Sequence, residues 1–417
     1  MFFILTSTWQ FILLAIGLLA FGYLAWRRPV LGFGLVLFFC PLYLLKIGNW
    51  PFTVLDALVL IIAAVFFLKK KGRFYWPEKK FLIPIILLLA GASLSTIFSP
   101  DIRTSLGVLK SWFFEPALFA FVGLNILKDK QQLKIVLSCL AASGSVVALA
   151  ALGWLAFDDL TFDGRLSAFY LSPNHLAMYL APTFIVALGL IILERDFWRR
   201  VVWAVGAFLM FGAIFFSFSY GAWLAILAAG ALVFLMAWWK AVLRVDRKVA
   251  ITCSLALLLF LAAGVSQMNS EKLNNLLNSD RSSWQSRLIV WRVSGKMISE
   301  NPMLGIGPGV FQQKYLEYQK YYPPYLEWAV PQPHNLFLAF WLQAGLLGLV
   351  GFVWLMAVTL YDIWKNAKNR SLVLILGAVV VYFLLHGLVD TIYWKNDLAL
   401  IFWAIIALGY KANRLAD

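Results

Sequence analysis

The chain has three histidines, His175, His334 and His386. His334 stands in Pro331-Gln332-Pro333-His334-Asn335, just before a long apolar run. Proline holds its predecessor extended, so a helix begins at or just after His334. The partial positive charge of a helix start favours an uncharged imidazole. Such a group can act as a general base toward a hydroxyl. The plainer alternative is a histidine that only caps the helix. Arg287 and Trp291 lie at i and i+4 on a stretch of helical periodicity, with Arg292 beside them. A guanidinium there can hold phosphate through two parallel hydrogen bonds, although a basic interfacial helix would carry the same residues. Arg165 precedes Ser172-Pro173-Asn174-His175, and an arginine and an amide beside a helix start suit an anion. The alternative is an ordinary loop charge. His386 and Asp390, also at i and i+4, form a candidate hydrogen-bonded pair that positions another group. Asp158-Asp159 is an adjacent acidic pair without further ligands, so no metal site is expected. Gly305-Ile306-Gly307-Pro308-Gly309 follows no strand and is broken by proline, which excludes dinucleotide and P-loop readings.

These residues must be positioned by elements that live in lipid. Of 417 residues, 62% are hydrophobic and 13% charged, against about 25% charged in soluble domains. Apolar runs long enough to cross a bilayer recur along the chain. Runs such as Phe81 to Ala92 are continuously apolar, not alternating, which excludes a β-barrel. The expected fold is an all-α integral membrane protein, a polytopic bundle of 12 or 13 transmembrane helices. Spans are read near 9–26, 29–46, 52–68, 81–98, 111–127, 134–157, 174–193, 200–217, 219–239, 249–266, 335–361, 371–388 and 397–411. The first carries no preceding basic region, so it reads as a retained span and not a cleaved signal. Cys40, Cys139 and Cys253 all fall in apolar stretches and read as small buried hydrophobes.

The net charge of +15 is a topology signal. Roughly two-thirds of the 35 Lys and Arg fall in alternate short loops, which the positive-inside rule assigns to the cytoplasm. That places the N-terminus outside and the C-terminus inside, and excludes a nucleic-acid partner. The chain reads as one polytopic domain over 1–417, with an extracytoplasmic loop subdomain at 267–334. In that loop Ser282 to Glu300 forms an amphipathic helix with Trp284, Leu288, Trp291 and Ile298 on one face. Tyr315, Tyr318, Tyr321, Tyr322 and Tyr325 suggest an aromatic surface, for headgroups or for sugar. Asp56 and Glu115 are the two acids that a transporter reading would place within the membrane. No internal repeat supports that reading.

The order Arg287-Leu-Ile-Val-Trp291, Asn301-Pro302 through Gly309-Val310-Phe311, Pro333-His334-Asn335 and Gly345-Leu346-Leu347-Gly348 resembles the O-antigen ligase and polymerase superfamily of bacterial membrane glycosyltransferases. Arg165 to Ala177 is similar to the family's earlier external motif, and His386 to Asp390 to its late His/Asp motif. One position departs: Tyr220 stands where the family carries arginine in Ser-Arg-Gly, and Arg292 or Arg103 are candidates to supply the missing charge. The resemblance implies a GT-C-like bundle in the inner membrane, with its active site on the outer side. It implies transfer of a glycan from an undecaprenyl-pyrophosphate donor to a glycan, lipid or protein acceptor, inverting and without metal or cofactor. Polymerisation of repeat units is the alternative activity, and a transporter, flippase or assembly scaffold are rival classes. His334 and Arg287 then carry the chemistry. Arg165, Asn174, Arg292, Asn335, Tyr220, His386 and Asp390 surround the substrate, and membrane lipids are the remaining partners.

Overall fold

A computed structural model describes residues 3–48, 52–239, 247–268, 270, 273–274, 283–323, 330–366 and 371–415. Tyr325, Arg281 and Lys272 lie outside the described residues. Backbone groups facing hydrocarbon must bond within their own segment, and the apolar runs accordingly form helices. In chain order these are α1 (Thr8–Arg27), α2 (Pro29–Phe38), α3 (Val54–Lys69), α4 (Lys79–Ile97), α5 (Ile102–Val108), α6 (Glu115–Ile126), α7 (Lys130–Ala156) and α8 (Pro173–Leu193). They continue as α9 (Phe197–Phe216), α10 (Tyr220–Trp239), α11 (Arg247–Gln267), α12 (Ser283–Glu300), α13 (Phe311–Tyr318), α14 (Leu336–Asn366), α15 (Ser371–His386) and α16 (Asn396–Ala412). A π-helical turn, Leu109–Phe114, joins α5 to α6. Among the described residues, seven helices are long and apolar enough to cross a membrane, and Pro29–Phe38, Tyr220–Met236, Ser254–Gln267 and Ser371–His386 are shorter apolar helices. The protein is an all-α polytopic membrane protein.

The span read at 29–46 is not one continuous helix. Pro41 lacks an amide hydrogen and biases its predecessor away from helix, so α2 stops at Phe38 and a 3-10 turn covers Cys40–Leu44. A short strand, Phe3–Leu5, then pairs in parallel with Leu45–Ile47. The chain therefore returns to the end of the bundle from which α1 set out. The two acids considered for transport are locally neutralised. Asp56 caps α3 by accepting from the Thr53 amide (2.8 Å) and lies 3.3 Å from Lys110 Nζ, which also reaches Glu115 at 3.8 Å.

Helix ends sort into two sets. The starts of α8, α10, α14 and α16 and the ends of α9, α11 and α15 gather at one end of the bundle. At the opposite end Asp362 of α14 accepts from Lys80 (3.0 Å), Asn413 (3.0 Å) and Arg414 (2.9 Å), clamping α4, α14 and the end of α16. The close contact of α4 with α14 depends on missing side chains. A Cβ on Gly91 would stand 2.3 Å from the Gly348 amide nitrogen, and one on Gly351 would stand 2.4 Å from that of Leu88. Small residues of this kind let membrane helices approach backbone to backbone.

The glycine-rich segment is inserted into a break in α14. Gly345 has φ +67°, which interrupts the helix. The freed Leu342 carbonyl accepts from the Ile306 amide (2.6 Å), and the Leu346 amide donates instead to the Met303 carbonyl (3.0 Å). Gly305, at φ +70°, has room for no side chain, since a Cβ would lie 2.2 Å from the Leu342 oxygen. These glycines weld the segment Met303–Ile306 to α14. The segment has its own small core of Val290, Val293, Met297, Phe311 and Tyr315. The buried face of α12 is thus Ser286, Val290, Val293, Ser294, Met297 and Ile298, so Ile298 of the face read from the sequence is buried while Trp284 is exposed. The Trp-based face read from the sequence is corrected because the loop core takes the smaller aliphatics. Tyr315 is buried against Phe311 and leaves the tyrosine surface to Tyr318 and Tyr321.

Candidate active site

Asp390 occupies the turn between α15 and α16, with its side chain 4% exposed. Its Oδ1 accepts from the Thr391 amide (2.9 Å) and lies 3.2 Å from His334 Nδ1. Its Oδ2 accepts from Asn174 Nδ2 (3.2 Å) and stands 3.9 Å from Arg287 Nη2. A carboxylate only accepts, so the His334 ring carries its proton on Nδ1 and presents Nε2 as the lone pair. His334 is 25% exposed, so the ring and not the acid is what a substrate can reach. Burial alone would raise the Asp390 carboxyl. Its bond to His334 and the charges of His334, Arg287 and His386 outweigh burial and hold it well below the usual carboxylate range.

His334 itself is strained. Its φ is +49°, a left-handed conformation uncommon outside glycine, though histidine is enriched there. The strain is braced from α12, where Trp291 Nε1 donates to the carbonyls of Pro333 (3.1 Å) and His334 (3.3 Å). Asn335, not His334, caps α14. Its Oδ1 accepts from the amides of Phe337 and Leu338 (both 3.0 Å), and its Nδ2 donates to the Leu388 carbonyl (3.0 Å). The amide of Asn335 is therefore spent on structure. The histidine that only caps a helix is excluded by this geometry.

Arg287 is aimed by backbone. Its Nε donates to the Val389 carbonyl (2.9 Å) and its Nη1 to Ser283 (3.2 Å). Arg165 Nε donates to the Ser217 carbonyl (2.8 Å), and Nη2 donates to Asn174 Oδ1 (2.7 Å). Asn174 thus bridges Arg165 to Asp390, placed there because Ser172 caps α8 from the preceding turn. Burial pulls the Arg165 guanidinium below its ordinary range; the Arg287 charge adds to this, and the charges of Asp163 and Asp390 oppose it. One guanidinium, Arg287, stands against the buried carboxylate directly, and the other, Arg165, reaches it through Asn174.

Other candidates take different places. His386 does not bond the Asp390 side chain as the spacing suggested. Its Nδ1 pairs with Tyr382 Oη (2.8 Å), and its carbonyl accepts from the Asp390 amide (2.9 Å). The i, i+4 relation is met by backbone, which turns Asp390 toward His334 instead. Tyr220 starts α10 with its hydroxyl 3.5 Å from Ser270 Oγ. Arg292 and Arg103 are exposed and, among the described residues, take no part in the hydrogen-bonded set. His175 points away into the interior, where Nε2 lies 3.4 Å from Asp397. The sequence reading missed Thr391, Ser217 and the Val389 carbonyl, which act through backbone and leave no residue-type signal. It also named Trp291 without the indole bond that defines its role.

A protein-family model described as O-Antigen ligase matches residues 205–353. The chain is also 24% identical to the O-antigen ligase of Salmonella typhimurium, over 85% of this chain and 90% of that protein. The chain is thus similar to O-antigen ligases, over part of its length in the family model and along most of its length in the Salmonella protein. The family match spans Tyr220, Arg287, Arg292, His334 and Asn335. Arg165, Asn174, His386 and Asp390 lie beyond it, yet Arg165, Asn174 and Asp390 belong to the same hydrogen-bonded set.

Proposed function

We propose that this protein transfers a glycan from an undecaprenyl-pyrophosphate donor to an acceptor hydroxyl, at the bundle end that carries Asp390. The observation that carries the reading is Asp390 itself, which orients His334 on one oxygen and anchors Asn174 and Arg287 on the other. In this reaction His334 Nε2 removes the acceptor proton as the hydroxyl oxygen attacks the anomeric carbon. The bond from that carbon to the pyrophosphate oxygen breaks, and the electron pair leaves with the diphosphate. Arg287 and Arg165 hold the charge that develops there. Asp390 keeps the imidazole in the productive tautomer and stabilises the imidazolium that forms. One displacement inverts the anomeric centre. The fixed guanidinium groups supply the charge that a metal supplies in other sugar transferases.

The charge distribution supports an extracytoplasmic site. The basic loops around Lys134, Arg199 and Arg414 belong to the end opposite Asp390, and the positive-inside rule assigns that end to the cytoplasm. The described residues 283–323 and 330–334 would then lie on the outer side of the bundle, within one polytopic domain. The name of the Salmonella relative favours ligation over polymerisation, with lipid A core or another surface glycan as acceptor. His334→Ala should abolish transfer by protein purified in detergent with a lipid-linked donor, while the variant still inserts in the membrane. Full transfer by that variant would rule out the base role. In a deletion strain, ligation predicts long chains left on their lipid carrier, whereas single unlinked repeats would point to polymerisation.

A further inference from the structure

A groove of about 650 Å³ opens between the first turns of α7 and α9, at the end of the bundle opposite Asp390. Its walls are mainly apolar, formed by Phe38, Ile135, Cys139, Ala142, Val202 and Trp203, with Ser138 and Gln131 as polar members. Ile135 and Val202 are 38% and 61% exposed, so the walls continue onto the outer surface of the helices. The mouth is different. Lys134 Nζ lies 2.6 Å from Glu194, which also accepts from the Arg195 amide (3.3 Å). The Lys134 bond holds the Glu194 carboxyl below its ordinary range, so the one acid among the described lining residues stays ionised with its charge balanced by Lys134. Arg199 is exposed beside it, and its guanidinium makes no hydrogen bond or ion pair among the described residues. On the other flank of α9 a second apolar groove of about 370 Å³ has Arg200 at its edge, tied to the carbonyls of Glu194 and Arg195 (both 3.3 Å). Exposed Phe197 and Trp198 stand beside the two arginines, the pairing of aromatic and basic residues found at headgroup level.

We propose that the α7–α9 groove binds one anionic phospholipid, with the phosphodiester on Arg199 and Lys134 and an acyl chain along Ile135, Cys139 and Val202. A soluble phosphate would satisfy the cations and leave the apolar walls uncovered. A zwitterionic lipid would cover the walls and bring a cation to an already basic mouth. An anionic lipid meets both requirements, and basic pockets between membrane helices recognise such headgroups.

The test is native mass spectrometry of the full chain in detergent, titrated with phosphatidylglycerol or phosphatidylcholine. One tightly held phosphatidylglycerol is expected, with phosphatidylcholine weaker. Arg199→Ala should weaken phosphatidylglycerol about fivefold, the effect of one juxtamembrane cation. Lys134→Ala/Glu194→Gln should do the same without uncovering the acid. Ile135→Trp, which fills the groove at unchanged charge, should also displace the lipid, whereas Arg73→Ala, an exposed cation elsewhere, should not. Equal binding of the two lipids, equal weakening by Arg73→Ala, or full displacement by inorganic phosphate would each overturn the proposal. So would a lipid-free dimer closed over this face.

Discussion

Asp390→Asn keeps the shape of the buried side chain and removes its charge. In the native turn three donors bond the two oxygens, the Thr391 amide and His334 Nδ1 on Oδ1 and Asn174 on Oδ2, while the Arg287 guanidinium stands 3.9 Å from Oδ2. An amide offers one acceptor oxygen. If that oxygen stays toward His334, the new amino group confronts the Asn174 amide and the Arg287 guanidinium. If it turns, the amino group faces Nδ1, which must then accept, and the ring proton moves to Nε2 where the base is needed. The first arrangement loses a hydrogen bond to a charged group, about 1.5–3 kcal/mol, or roughly ten- to a hundredfold in rate. The second removes the general base, about 10²- to 10⁴-fold. Initial transfer rates from a lipid-linked donor should therefore fall by about tenfold or more, with thermal melting in detergent confirming a folded variant. His334→Ala and the double variant complete the cycle. Groups that act as one unit are not additive, so the double variant should be no slower than His334→Ala alone. A rate within about threefold of wild type for Asp390→Asn, or effects that multiply in the double variant, would refute this account of the dyad.

Three further outcomes follow from the same geometry. Arg287→Lys loses the guanidinium fork and the bond to the Val389 carbonyl, and transfer should fall by about 10²-fold, the cost of removing one fixed donor to a developing anion; unchanged transfer would take Arg287 out of the leaving-group role. Gly305→Ala places a Cβ 2.2 Å from the Leu342 oxygen at a φ of +70°, so it should destabilise the fold by about 2–4 kcal/mol, read as a lowered melting temperature with activity per folded molecule retained. Asp390 is held below its ordinary range in the fold, so the unfolded chain takes up its proton first as pH falls. The stability that Asp390 adds is present above about pH 4 and is lost as pH drops toward the folded value; melting between pH 5 and 3 should fall less steeply in Asp390→Asn than in wild type.

Where one residue type carries the signal, the sequence was legible. Continuous apolar runs set the helices, and twelve of the thirteen spans read from them overlap a single observed helix along most of their length. The span at 29–46 failed at Pro41, where a proline inside an apolar run outweighed hydropathy. The span at 111–127 runs instead as one helical stretch over Ile102–Ile126, because the π-helical turn at Leu109–Phe114 continues the axis and no break signal marks it. At the site, histidine, arginine and asparagine announced themselves by type and by position before helices. What stayed hidden was direction. The spacing of His386 and Asp390 suggested a side-chain pair, yet the ring turns to Tyr382 and the acid to His334, 56 residues away in sequence. The Trp-rich face of α12 looked apolar by periodicity, but the core formed with Phe311 and Tyr315 claims the Val and Met face. Pairings between distant elements depend on packing that local periodicity does not encode.

The division of labour around Asp390 has a consequence for the order of events. A buried carboxylate is costly unless it is bonded and paired, and here three donors and the nearby Arg287 charge make it so. Of these, the Arg287 contact is the longest, at 3.9 Å, against 2.9–3.2 Å for the others. Arg287 is also held independently, by the Val389 and Ser283 carbonyls. A diphosphate that draws on the Arg287 charge therefore takes little from Asp390, whose shorter bonds to Thr391, Asn174 and His334 remain. The base stays oriented while the clamp engages the leaving group. Arg165 has no direct bond to Asp390 and works through Asn174, so the amide transmits position without exchanging charge. In the proposed reaction the same acid would serve both ends, orienting His334 on Oδ1 and meeting the leaving-group clamp on Oδ2, through Asn174 to Arg165 and at longer range to Arg287.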